Sequence, residues 1–104
     1  MTRNLDICDF ISSIRTSYDV EYIFLHGNCY KLYEILQILF GNCTPYLNTK
    51  KQHVITEHLG SFYDITGKVS SRSFRKMAPE QKRIAKTWRY GSFSTDAKII
   101  PTID

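Results

Sequence analysis

Cysteine and proline are scarce, three of each in 104 residues. The cysteines, at positions 8, 29 and 43, are odd in number and follow no framework spacing. That excludes a disulfide-stapled secreted scaffold and predicts free thiols in a reducing cytoplasm. The opening MTRNLDICDF carries two acids and does not read as a signal peptide. No apolar run approaches the length that crosses a bilayer, so no membrane partner is expected. Internal repeats and low-complexity stretches are also missing. What is present is an ordinary globular composition, 42% apolar and 23% charged, of a length that suits a single domain over residues 1–104. Seven tyrosines, six phenylalanines and one tryptophan let so small a fold bury much surface per residue.

The net charge of +4 is unevenly placed. Nine basic and two acidic residues lie between Lys68 and Lys98, whereas residues 1–67 hold five basic and seven acidic ones. The segment 68–98 is therefore a basic end on a mildly acidic body, suited to an acidic partner or to nucleic acid. Arg72, Arg75, Lys76, Lys82, Arg83, Lys86 and Arg89 are its candidate contacts, with Trp88 and Tyr90 as aromatics able to stack on bases. The same residues also read as a solvated face.

Helical spacing of Ile7, Phe10, Ile11, Ile14 and Tyr18 predicts a first helix over about Leu5 to Tyr18, with Asn4 as its N-cap. Tyr22 to Leu25 is a short apolar run that fits strand or helical turn. A second helix is bounded by Asn28 as N-cap and Gly41 at C′, with Leu32, Ile35, Leu36, Leu39 and Phe40 as its apolar stripe. Pro45 and Asn48 mark a loop or a short edge strand. QHVITEHLGSFYDITGKV reads as a hairpin about His58-Leu59-Gly60-Ser61, with glycine placed for a type II turn. SSRSFRK is a polar connection, APEQKRIAKTW a last helix, and the tail after Gly91 offers at most an edge strand. Together these give an α+β fold, helices packed on a small antiparallel sheet.

The chemistry gathers around Cys29. At the first position of the second helix its sulfur meets unpaired N–H groups and the positive end of the dipole, which favour the reactive thiolate. A nucleophilic thiol also needs a base, and the base a third group to orient it. His53 at the start of one strand and Asp64 on the returning strand fit these roles. A two-residue loop pairs Glu57 with Phe62 and makes Asp64 the diagonal neighbour of His53 on one side of the sheet. A three-residue loop would separate them.

The run GNCYKLYEIL, then HVITEH, then YDITG, resembles the papain-like or NlpC/P60-type cysteine-peptidase layout, in which a helix-starting Cys packs on a small antiparallel sheet. It resembles more closely small bacteriophage and prophage proteins with a GNCYKLY, HV.T and YDI.G pattern followed by a Trp-bearing helix. The resemblance covers roughly Phe24 to Trp88 and implies a reduced papain-like arrangement acting through Cys29, His53 and Asp64. The upstream glutamine that supplies an oxyanion donor in papain-like enzymes is missing, which leaves the hydroxyl of Tyr22 and the N–H of Cys29 for that task.

The implied function is a phage-type cysteine hydrolase or acyl transferase without a cofactor. The rival is a non-catalytic phage binding protein, such as an inhibitor of a host defence complex, docking through its basic end. Zinc competes through His26, Cys29, His53 and His58, but residues 53 and 58 face opposite sides of one strand, so no metal is expected. Glu57 reads as a solvated strand residue or a second polarising carboxylate, and Tyr30 and Tyr33 as packing or rim residues. His58 reads as an exposed turn residue, and Cys8 and Cys43 as structural.

Overall fold

The computed structural model describes residues 6–16, 20–25 and 28–88, without the side chains of residues 21–23. Three helices, α1 (Ile7–Arg15), α2 (Val20–Leu25) and α3 (Cys29–Phe40), precede the sheet. Strands β1 (Cys43–Asn48), β2 (His53–His58), β3 (Ser61–Asp64), β4 (Gly67–Val69) and β5 (Arg75–Lys76) form it, and α4 (Pro79–Ala85) follows. The sheet is antiparallel throughout in the order β4-β3-β2-β1-β5. The fold is α+β, as expected.

Each helix is positioned by the face it buries. In α1, Ile7 and Ile11 are buried, Phe10 packs edge-on to Phe40 of α3, and Asp6 caps by accepting from the Asp9 N–H at 2.8 Å. The expected cap Asn4 lies outside the described residues, as do Tyr18, His26, Arg89, Tyr90 and the tail. The run at Tyr22 to Leu25 is helical, in α2. In α3 the inward stripe is Cys29, Leu32 and Leu36, while Leu39 turns outward beside the exposed Ile38. This stripe starts at the cysteine, so Leu39 falls off its edge.

The stretch expected as a loop at Pro45 is β1, which pairs on both sides and is no edge strand. Pro45 is buried there, and its carbonyl accepts from the Met77 N–H at 3.0 Å. The β2–β3 register is the even one, with Glu57 opposite Phe62. The turn itself differs from the type II expectation. Leu59 and Gly60 both have positive φ, 52° and 88°, the pattern of a type I′ hairpin, whose twist matches the flanking strands. A second tight turn follows, with Asp64 paired to Gly67 across Ile65 and Thr66. Gly67 takes φ 113°, which side-chain-bearing residues rarely adopt.

Two clusters form the core. One joins α1, α3 and the sheet through Ile11, Leu36, Cys43, Tyr63 and Ile65. The other joins the start of α3 to the C-terminal segment through Cys29, Tyr30, Leu47, Val54, Met77, Ala85 and Trp88. No helix of the described residues is long and apolar enough to cross a membrane.

Candidate functional site

Cys29 is the first residue of α3, where the backbone N–H groups have no partner within the helix. Asn28 does not cap them with its side chain, and its Oδ1 is buried without a hydrogen-bond partner. The N-terminal end of α3 therefore keeps its N–H groups for other use. The sulfur accepts one hydrogen bond from across the chain, from the Val54 N–H of β2 at 3.3 Å.

His53 precedes Val54 and reaches the same place with its ring. Its Nε2 lies 3.1 Å from Asp64 Oδ2, and the Cys29 side chain lies close enough to favour the charged ring. With Nε2 held by Asp64, Nδ1 is the nitrogen left for the sulfur. Burial alone disfavours the charged ring. The hydrogen bonds to Asp64 and Cys29, with their charges, outweigh that cost and hold His53 up at about 9. The ring therefore carries its second proton at neutral pH. Burial works against the Asp64 carboxylate too, but hydrogen bonds from His53 and Thr66 hold it below its ordinary value.

Asp64 is fixed from its other side. Thr66 donates its N–H to Oδ1 at 2.7 Å, and its hydroxyl donates to the same oxygen. Thr66 escaped the sequence reading, although Asp-x-Thr is the signature of a side chain that folds its own turn. The turn is tied to α1 by Arg15, whose Nη1 donates to the Ile65 carbonyl at 3.2 Å. Phe74 sets its ring edge-on to His53 at 6.1 Å between centroids, a contact that no local pattern announces.

The thiol, the imidazole and the carboxylate thus lie together, drawn from three elements. The pair is covered. Cys29 is 3% exposed, in one buried cluster with Met77, Ala85 and Trp88. Tyr22 falls on α2, with its side chain outside the described part of the structure. Tyr30 is buried with its hydroxyl pushed up to about 12 by burial and by Tyr33 and Glu34, so it acts as packing. Among the described residues no group of three or more His, Cys, Asp or Glu side chains is placed to hold a metal ion.

His58 is not the exposed turn residue expected. It is half-buried at the end of β2, with Nδ1 3.0 Å from the Gly41 carbonyl and 3.6 Å from the sulfur of Cys43. Glu57 accepts from the Gly60 N–H at 2.8 Å and so closes the hairpin turn.

The basic residues are drawn from several elements. Lys68 sits on β4 and Arg75 and Lys76 on β5, at opposite edges of the sheet. Arg72, Lys76 and Lys86 are exposed, Lys82 is half-exposed, and Arg83 is engaged with Glu80 at 2.5 Å. Trp88, expected as either a stacking residue or an anchor, is 1% exposed and anchors the segment.

Among known proteins, no curated protein and no solved structure matches this chain. The profile of one family does, over residues 7–100, nearly its whole length and the entire site. The chain belongs to the family described as Phage YunG-like protein.

Proposed function

We propose that this phage protein is a cysteine hydrolase or acyl transferase, a reduced papain-like arrangement acting on amide or thioester carbonyls. The observation that carries the reading is the shared imidazole. The ring of His53 is bonded to Asp64 at 3.1 Å, and the Cys29 side chain lies close enough to favour its charged form. A ring that holds its second proton at neutral pH serves as acid and counter-ion first, and as base only after it has given that proton away.

The reaction follows from this. The Cys29 sulfur, bearing the negative charge, attacks the carbonyl carbon and forms a C–S bond while the C=O pair moves to oxygen. The Cys29 N–H at the start of α3 receives that oxyanion. The intermediate collapses, the C=O bond reforms, and the leaving amine or thiol takes the proton from His53 Nδ1. The neutral ring then takes a proton from water or an incoming amine as it attacks the acyl carbon. The sulfur departs as an anion and the ring is again an imidazolium. Asp64 holds the ring's orientation throughout.

The test is iodoacetamide alkylation at neutral pH, resolved for each cysteine by mass spectrometry, in the native chain and in His53→Gln. Cys8, which is exposed, is the internal reference. His53→Gln should slow Cys29 at least roughly tenfold relative to Cys8. An unchanged ratio of the Cys29 and Cys8 rates in that variant would remove the enzyme reading. Burial of the thiol would then favour the rival, a non-catalytic phage protein that binds or inhibits a host component.

A further inference from the structure

One continuous segment, residues 74–88, closes over the Cys29–His53 pair. Phe74 lies against the imidazole, and Met77, Ala85 and Trp88 belong to the same buried cluster as the thiol. The rest of the segment faces outward. Lys76 and Lys86 are exposed, and Lys82 shares a side of α4 with Lys86, one helical turn away. The segment holds five basic residues and one acid, Glu80, which is already engaged with Arg83. The element that hides the reactive pair is thus also the most positively charged part of the described chain.

We propose that residues 74–88 are a cover, and that an acidic polypeptide binding at Lys76, Lys82 and Lys86 lifts it from Cys29. This rests on the catalytic reading, which requires substrate to reach a sulfur that is 3% exposed. A polypeptide fits better than a single-stranded nucleic acid. The aromatic rings of the segment, Phe74 and Trp88, are turned inward, so among its described residues no ring is left for bases to stack on. Charge attracts the partner, and the proposal requires that it bind the open cover more tightly than the closed one. An acidic chain therefore shifts the population toward the open cover in proportion to its differential affinity.

The experiment is alkylation of the full chain at about pH 8.5, where an ordinary thiol is half ionised and any uncovered one reacts. Poly-glutamate is the probe, and Cys8 and Cys43 are internal controls. Poly-glutamate should speed alkylation of Cys29 at least roughly tenfold by populating the open state, with Cys8 and Cys43 unchanged. The triple variant Lys76→Glu, Lys82→Glu, Lys86→Glu, altered only at surface positions, should lose that acceleration. Trp88→Phe, which loosens the cover without the probe, should speed Cys29 alone; acceleration of Cys43 as well would report general unfolding and overturn the claim of a local cover. An unchanged Cys29 rate with poly-glutamate overturns the proposal, as does acceleration by an oligonucleotide alone. At this pH the rate reads exposure and not activation, so a failed cover leaves the effect of His53→Gln at neutral pH intact, and an unactivated thiol leaves the poly-glutamate effect intact.

Discussion

Two cysteine–histidine pairs sit at the two ends of the same helix and the same strand. Cys29 opens α3 and meets His53 at the start of β2, whereas Cys43 lies just beyond the end of α3 and meets His58 at the end of β2. The residue types are the same and the surroundings are opposite. At the start of α3 the groups facing sulfur are N–H donors, including that of Val54. Past its end the facing group is an acceptor, the Gly41 carbonyl, which takes the Cys43 thiol at 3.3 Å and His58 Nδ1 at 3.0 Å. Donors favour an anion and acceptors keep the proton in place. Burial, with Glu57 adding to it, pushes the Cys43 thiol up further. Helix polarity makes one pair a candidate for chemistry and the other a fastening.

The largest expected contrast between the pairs is in rate. His53→Gln should lower acyl transfer by roughly 10²–10⁴, the usual worth of a positioned acid–base group, and His58→Gln by less than about threefold. Equal losses would mean that both act through folding. In urea unfolding, Asp64→Ala should cost about 3–5 kcal/mol, because it leaves the half-buried His53 cation without its partner. Cys43→Ala, which only trims a small buried side chain, should cost about 1–2 kcal/mol.

A third contrast is in pH. His53 has its ordinary value of 6.5 in the unfolded chain and about 9 in the folded one. Its contribution is fully present below 6.5 and is lost as pH rises through 9, a fall of about 3 kcal/mol. The raised Cys43 thiol contributes a loss of the same sign, but one that begins only near its ordinary value of 9.0. Stability measured between pH 6.5 and 9 should therefore decline in the native chain and stay level in His53→Gln.

The smallest effect lies at the hairpin beside His58. Leu59 is 76% exposed and held at φ 52°, so Leu59→Asn should raise stability by about 0.5–1 kcal/mol in thermal unfolding. It should leave Cys29 alkylation unchanged.

The site was legible where it depended on local rules. Asn28 and Gly41 bracket α3 as their residue types suggest, although Asn28 makes no capping bond. The parity of β2 and β3 brought His53 and Asp64 to one another once the loop was taken as two residues. What escaped was set by distant or backbone partners. Strands β4 and β5 are three and two residues long, too short to show a period. Pro45 signalled a loop, yet in β1 its carbonyl serves a neighbour from beyond β5. The role of His58 depends on a main-chain oxygen, which no side-chain pattern announces. The cover over Cys29 comes from residues about fifty positions away and depends on burial that only the assembled fold provides.

The bond from Arg15 to the Ile65 carbonyl spans fifty positions of the chain. During synthesis the first helix waits for the β3–β4 turn to emerge before that guanidinium finds its acceptor. Trp88 emerges later still. A ribosome paused between these two points holds a nascent chain whose thiol, imidazole and carboxylate have all been made while the residues that shield them have not. The three groups of the candidate site are therefore made before their shield.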